Sequence, residues 1–312
     1  MTSSQRVPVL PAGKIIVTGA TGFVGTSLVR ALSSMGRRSD IVAISRRGPR
    51  AADLRDRSQV ESLIRETRPT VLFHLAGLIN STSLDDLYAS NVATTQYLLE
   101  AVLTHAPACR VIVPGSAAEY GRVPESELPI KEQRIPAPVV PYGLAKAWQS
   151  ATTAYFAARG ANAVVARLFN LVGIGTPTRL SVGAFAEQLR RIREGEEEPM
   201  LVVGDLSPRR DFIDVADACA ALVALAATPA VEGVYNVCSG SSVSMAEVLE
   251  LMIQESGLDV KVAVDDARLR HKGEIPDSVG DPSRLRAATG WRPLIPLRES
   301  LAGMLVVPSA AH

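Results

Sequence analysis

Thr18-Gly19-Ala20-Thr21-Gly22-Phe23-Val24-Gly25 sets three glycines at GxxGxxG spacing between an apolar run, Lys14 to Thr18, and a periodic stretch, Thr26 to Met35. The run reads as a buried strand. The stretch reads as a helix with Leu28, Val29, Leu32 and Met35 on one face and Gly36 as its stop. Each glycine has a physical use in such a turn. Gly19 permits the tight bend, Gly22 lets the backbone approach a pyrophosphate, and Gly25 allows close helix packing. The helix N-terminus then offers amide hydrogens and a positive dipole end to phosphates. Glycine clusters also make plain turns, and the strand-to-helix setting is what favours dinucleotide binding through Gly19, Thr21, Gly22, Phe23, Val24 and Gly25.

Outward from this segment the alternation continues. Ile41 to Ile44 is a strand, and a Ser58-to-Glu61 capping box opens a helix that ends at Arg68-Pro69. Val71 to Leu75 is strand, Leu84 to His105 mostly helix, Arg110 to Val113 strand, Tyr142 to Arg159 helix stopped by Gly160, and Ala163 to Leu168 strand. Strict alternation implies parallel βαβ units, hence an α/β fold with a Rossmann-type doubly wound sheet over residues 1–170. After Asn170 the rhythm loosens. Gly173 to Leu180 reads as loop, Val182 to Arg193 as helix, Glu194 to Glu198 as an acidic turn, and a second capping box, Ser244 to Glu247, opens a helix to Gly257. Residues 171–312 are expected to form mainly a smaller, substrate-binding lobe. Residues 214–238, with the Ala216–Ala226 helix and the Tyr235 strand, are expected to return to the main sheet.

Composition narrows the function. The 312 residues are 47% hydrophobic and 21% charged, ordinary for a globular enzyme. With 33 basic and 32 acidic residues the net charge is +1, too small a field to gather nucleic acid or an anionic membrane. A phosphorylated ligand must then rely on locally placed arginines. Cys109, Cys219 and Cys238 form no CxxC pair, and the four histidines have no metal-ligand spacing, so neither a disulfide nor a metal site is expected. Cys219 and Cys238 sit in apolar segments and read as core. Met1 to Pro11 has no signal architecture, and no apolar run reaches about 18 residues. The expected location is the cytoplasm.

Two further strings carry chemistry. Ile44-Ser45-Arg46-Arg47 ends the second strand without the acid that accepts adenosine ribose hydroxyls in sites preferring NAD. Arg46 and Arg47 stand where a 2′-phosphate would sit. A solvated basic turn reads the same way, but a missing acid together with added base favours NADP(H), with NAD(H) still admitted. Tyr142-Gly143-Leu144-Ala145-Lys146 is a YxxxK spacing that puts both side chains on one helix face. A nearby ammonium, joined by an oxidised nicotinamide, is expected to lower the phenol pKa so that it exchanges a proton with substrate oxygen. Its rival is a tyrosine-lysine pair on an exposed helix. Ser116, read on the loop after a strand, favours the catalytic alternative because its hydroxyl can hold the same oxygen.

Taken jointly, these residues resemble the extended short-chain dehydrogenase/reductases, a family of nucleotide-sugar epimerases, dehydratases and reductases, from Lys14 to Pro296. The resemblance implies that Asp53 and Leu54 contact adenine and that Leu75, Ala76 and Gly77, after His74, lie beside the cofactor ribose. It also matches Asn91-Val92 and Arg167-Leu168-Phe169-Asn170, placing Leu168 against the cofactor and Asn170 against the sugar nucleotide. Gly115 to Gly121, Arg210 to Val215 and Tyr235 to Gly240 look most like the family's reductases of 4-keto-6-deoxy sugars. Ala117 and Ala118 stand where dehydratases carry acids. Arg210 is a candidate pyrophosphate clamp, with an ion pair to Asp211 or Asp214 as the alternative. Arg270 is a second candidate, although His271-Lys272-Gly273 departs from the family's proline-containing stretch. His74 reads as a hydrogen-bonded structural residue. The expected activity is NADPH-dependent reduction of the C4 keto group of a nucleoside-diphosphate 4-keto-6-deoxyhexose; the alternatives are a nucleotide-sugar 4-epimerase with tightly bound NAD and a non-catalytic dinucleotide sensor. The resemblance further implies a homodimer through the helices Leu84–His105 and Tyr142–Arg159.

Overall fold

The apolar runs around the glycine segment become strands buried on both faces, as a sheet covered by helices on each side requires. The computed structural model describes residues 9–46, 52–265 and 275–306; Arg47 and Arg270 to Gly273 lie outside the described residues. The first five strands are β1 (Ile15–Thr18), β2 (Ile41–Ile44), β3 (Val71–His74), β4 (Arg110–Ser116) and β5 (Ala163–Leu168). Then follow β6 (Asn170–Val172), β7 (Met200–Val203), β8 (Arg209–Asp214), β9 (Gly233–Val237), β10 (Ser242–Ser244), β11 (Lys261–Val264) and β12 (Asp277–Ser278). The helices are α1 (Phe23–Leu32), α2 (Arg57–Thr67), α3 (Leu84–Leu87), α4 (Thr94–His105) and α5 (Pro141–Ala158) in the first half. The second half holds α6 (Ser181–Arg193), α7 (Val215–Ala227), α8 (Met245–Ser256), α9 (Ser283–Thr289) and α10 (Leu297–Leu305).

Six strands form one parallel sheet in the order β2-β1-β3-β4-β5-β9. Period-two alternation sends Ile15 and Val17 to one face, where Leu28 and Leu32 of α1 and Leu222 of α7 cover them. Ile16 and Leu72 point the other way, against Val60 and Ile64 of α2, Leu98 and Val102 of α4 and Phe156 of α5. The fold is thus α/β with a Rossmann-type doubly wound sheet. Strand β9 joins this sheet beside β5, and α7 packs in the core of one face together with Leu285 of α9 and Trp291.

The remaining elements gather round β8, which pairs with β10 antiparallel and with β12 and β6 parallel, while β7 pairs with β11. Their core is a separate apolar cluster that includes Phe185 and Leu189 of α6, Val248 and Met252 of α8, and Leu301 and Leu305 of α10. Among the described residues, no helix is long and apolar enough to cross a membrane.

Two local expectations change. Helix α2 is capped by Asp56, whose carboxylate takes the amides of Ser58 at 2.9 Å and Gln59 at 3.3 Å, so Ser58 lies inside the helix. A carboxylate at the N-cap combines a charge-assisted bond with the helix dipole and outcompetes a hydroxyl two residues later. The stretch from Leu84 to His105 is broken by a wider turn at Tyr88–Ala93, where Asn91 donates to the carbonyls of Leu87 and Leu78. The Ser244–Glu247 box forms reciprocally, as read.

His74 ends β3 buried, with Nδ1 2.9 Å from Thr18 Oγ1 and Nε2 3.4 Å from Thr94 Oγ1, the structural role read from sequence. Burial first, then the Lys146 charge, lowers its pKa from 6.5 to about 3. The unfolded chain therefore binds the extra proton first, and stability is lost as pH falls through that window, by up to about 1.4 kcal/mol per pH unit from this group. His74→Gln should flatten the stability-against-pH curve from 6.5 down to about 5, above the ordinary carboxylate range. Denaturant midpoints measured across that range test this, and an unchanged slope would count against it.

Candidate active site

The glycine turn is built by contact. Gly22 is the N-cap of α1 and has no side chain to bond the first-turn amides, which lack partners within the helix. At Gly25 a Cβ would lie 2.1 Å from the Gly19 carbonyl oxygen, so only glycine lets the first turn of α1 close onto the end of β1.

Strand β4 runs three residues further than the sequence suggests and ends on Ser116, which is its last residue rather than part of the loop after it. The chain then makes a single 3-10 turn, Ala117–Glu119, capped reciprocally: Ser116 Oγ accepts from the Ala118 amide, and the Ser116 amide donates to Glu119 Oε1 at 2.8 Å. This bonding, together with pairing to β5 in register Ser116↔Leu168, explains the longer strand. Pro141 opens α5, a position where its missing N–H costs nothing. Tyr142 and Lys146 follow one turn apart, and both face the cavity that Ser116 enters.

That cavity has a volume of about 530 Å³. It collects Gly19, Gly22, Phe23, Val24 and Gly25 from the glycine turn, Leu75, Ala76 and Gly77 after β3, and Ser116, Tyr142, Lys146, Leu168, Asn170 and Arg210. Thr21, Arg46, Asp53 and Leu54 do not line it. Arg46 is exposed just past the end of β2, Asp53 pairs with Arg55, and Leu54 is buried among the apolar residues under α2. Among the described residues no cluster of potential metal ligands forms, and all three cysteines are buried.

The electrostatics of the cavity are set first by burial. Burial raises the Tyr142 pKa to about 12; contact with the Ser116 hydroxyl draws it back, and the Glu119 charge adds to the rise. Lys146 Nζ donates to the Pro114 carbonyl and to Gln149 Oε1, and burial dominates the phenol. Lys146 is itself lowered to about 8, chiefly by burial, with Glu119 opposing. Gln149 also donates to Thr95 Oγ1 at 2.7 Å, fixing the lysine's neighbour. It lies three residues after Lys146 on the same face, so the YxxxK periodicity carried a signal for it.

Arg210 donates to the backbone carbonyls of Arg209 at 2.8 Å and Ile275 at 2.7 Å. The two acids offered as its ion-pair partners have other work. Asp211 is buried and accepts from Ser239, Gly240 and Gly280, and Asp214 caps α7. Asn170 donates to the Asp211 carbonyl at 3.0 Å. Sequence reading missed Arg179, Leu180, Pro208 and Met245, which also line the cavity. They come from loops and helix starts with no periodicity to mark them.

The family described as the NAD dependent epimerase/dehydratase family matches residues 15–238. A GDP-6-deoxy-D-mannose reductase of Pseudomonas aeruginosa is 31% identical over 300 residues, covering 94% of this chain and 96% of that protein. Among solved structures, RMD from Pseudomonas aeruginosa complexed with NADPH is similar at a TM-score of 0.83 and 29% identity, over 94% of this chain and 98% of that one. UDP-glucose 4-epimerase of Thermus thermophilus in complex with NAD gives 0.80 and 27% identity, over 94% and 97%.

The contact at Gly25 makes a direct prediction. Gly25→Ala forces the turn off the end of β1 and should cost about 1–3 kcal/mol of stability, the usual range for overpacking. Urea unfolding measures it, and wild-type stability would show that the turn yields freely.

Proposed function

This chain belongs to the NAD dependent epimerase/dehydratase family, and from that premise we propose that it reduces the C4 keto group of a nucleoside-diphosphate 4-keto-6-deoxyhexose with NADPH. One observation carries the reading: Ser116, Tyr142 and Lys146 open on the same cavity as the glycine turn, and the residues after the serine are Ala117 and Ala118. Alanine does no acid–base work, so the site has a proton donor for a carbonyl but no acid of the dehydratase kind at those positions.

The residues fit a dinucleotide. An uncapped helix start and a turn closed by Gly25 leave a cradle for the pyrophosphate, and the cavity runs from there to Lys146. Gly19, Thr21, Gly22, Phe23, Val24 and Gly25 would hold the pyrophosphate end. Asp53 and Leu54 would meet the adenine, and Leu75, Ala76, Gly77 and Leu168 the ribose side. Arg46, with Arg47 outside the described residues, would meet a 2′-phosphate, which supports NADPH; NADH is the weaker alternative. When bound, the cofactor supplies hydride to C4.

The chain's own residues handle the oxygen. Tyr142, with its pKa raised to about 12, holds its proton at neutral pH and can give it to the developing alkoxide. Ser116 Oγ fixes the same oxygen, and Lys146 holds the ribose and, when charged, draws the phenol pKa down. Asn170 and Arg210 would grip the nucleotide sugar, with Arg270 as a second clamp outside the described residues. Residues 1–170 with 214–238 then act as the cofactor domain, and 171–312 mainly as the substrate lobe. Exposed Tyr88, Trp148 and Tyr155, on or beside the helices expected to pair, support a homodimer.

The second reading, a nucleotide-sugar 4-epimerase, has the similarity to the Thermus thermophilus enzyme in its favour. A reductase consumes one NADPH per 4-ketosugar and leaves deuteride from labelled cofactor at C4; an epimerase interconverts 4-hydroxy sugars with no net cofactor change. GDP-4-keto-6-deoxymannose is the first substrate to try and dTDP-linked ketosugars the next. Epimerisation of a 4-hydroxy sugar nucleotide, with no NADPH oxidation by any ketosugar, would overturn the proposal.

Two variants test the roles. Tyr142→Phe should lower kcat by about a hundredfold or more while NADPH affinity stays within a few fold, since the ring still packs but carries no proton. Ser45→Asp with Arg46→Ala should turn the preference from NADPH to NADH, read as the ratio of kcat/KM values. Wild-type turnover in the first variant, or an unchanged ratio in the second, would refute the assignment concerned.

A further inference from the structure

Behind the reactive serine lies a charged pair that the proposed chemistry does not use. Glu119 is fully buried, and its two oxygens are both engaged: Oε1 takes the Ser116 amide and Oε2 takes Arg167 Nε, each at 2.8 Å. Arg167 reaches it from β5, where it is paired with Gly115, and its guanidinium lies 4.6 Å from the centre of the Tyr120 ring. A Cβ on Gly115 would fall 2.6 Å from Glu119 Oε1, so the glycine before the serine makes the room in which the carboxylate sits. Tyr142 and Lys146 of α5 feel its charge from the cavity side. Tyr120 stands beside it, with Glu132 beyond Tyr120 and His74 beyond Lys146.

We infer that Glu119 is a positioning residue for the triad, a fixed negative charge that locks the backbone of Ser116 and helps Tyr142 and Lys146 to keep their protons. This rests on the triad reading above. A buried ion pair is a poor stability device, because apolar residues of similar volume often serve as well or better. This pair is not even fully satisfied: among the described residues Arg167 Nη1 is buried without a hydrogen-bond partner. Placed one turn after the serine, however, the carboxylate acts on both chemical groups through a medium that screens poorly. It opposes ionisation of the phenol and supports the ammonium, and a proton donor for a carbonyl needs both.

The test reads a titration and needs no substrate, so failure of the reductase reading and failure of this inference are separate events. The chain has five lysines, few enough for lysine 13Cε NMR, with Lys146 assigned by Lys146→Arg. In the wild type the Lys146 resonance should titrate near pH 8. In Glu119→Gln, which keeps the hydrogen bond to Ser116 but loses the charge, the midpoint should move acidward by on the order of one pH unit. Glu119→Asp, which keeps the charge, should stay near the wild-type midpoint. Because Glu119→Gln leaves Arg167 uncompensated, Glu119→Gln with Arg167→Met is the second variant, with a shift in the same direction expected. A wild-type midpoint in either folded neutral variant overturns the inference. So does failure of both to fold, which would assign the pair to the fold alone.

Discussion

Strands β1 and β3 lie in register from Ile15↔Val71 to Thr18↔His74, yet the chain leaving β1 crosses to β2 on one side and the chain leaving β3 crosses to β4 on the other. The two departing segments cannot fill the space between them, so a crevice opens at the carboxyl ends of the strands. The rest of the site is arranged against that gap. The glycine turn forms one lip and Leu75 to Gly77 the other, and β4 delivers Ser116 from the adjacent position. The Thr18 hydroxyl bonds to His74 and also accepts the Ala76 amide at 3.1 Å, so one short side chain ties the two lips together. Burying a histidine there costs proton affinity, and the depressed pKa of His74 records that cost.

Water exclusion at the same place sets the chemistry. Desolvation drives the phenol of Tyr142 up and the ammonium of Lys146 down, each away from its charged form. A neutral phenol beside an ammonium with a weakened hold on its proton makes a site sensitive to any charge that enters it. A cation brought against the phenol acts through a poorly screening medium and moves its proton affinity far more than it would in water. The value raised by burial and the lowered value that the proposed reaction calls for therefore belong to one phenol in two surroundings. The sequence reading described the second, because YxxxK spacing shows which groups are adjacent but not how much water each has lost.

What was legible follows from what repeats. Strands β2 and β5 begin and end where the apolar pattern does, and Gly160 and Gly257 stop their helices as read, whereas α1 ends at Leu32, ahead of a wider turn at Ser33–Arg37 in which Gly36 takes a positive φ. The Ser244–Glu247 box was legible because its reciprocal bonding needs only two residues at fixed spacing. The same rule failed at Ser58, where Asp56, a stronger acceptor two residues earlier, took the cap. Strand β4 outran its expected end because Pro114, Gly115 and Ser116 have no strand-like composition; pairing to β5 and the Glu119 carboxylate hold them extended. The catalytic candidates were legible because they sit on the periodic half of the chain. Arg179, Leu180, Pro208 and Met245 were not, because a loop comes to line a cavity through long-range packing that leaves no local pattern.

On the proposed reading, the aperiodic side of the cavity is also where discrimination between substrates arises, since the glycine turn and the proposed triad would suit many sugar nucleotides. Strand β8 organises that side. Asn170 reaches it from β6 through the Asp211 carbonyl, while the Asp211 carboxylate gathers the amides of Ser239, Gly240 and Gly280. Burial raises the pKa of Asp211, and those hydrogen bonds oppose the rise, so the carboxylate is held by its partners and they by it. Segments distant in the sequence thereby share one support, with Arg210 on the residue beside it. On that reading, replacing a side chain on a loop there would change the grip on a sugar or base without touching Ser116, Tyr142 or Lys146. On the proposed reading, a family built this way can exchange substrates while its proton chemistry stays in place, because the candidate reactive groups sit on β4 and α5 and the candidate selective ones on β6, β8 and the loops around that smaller sheet.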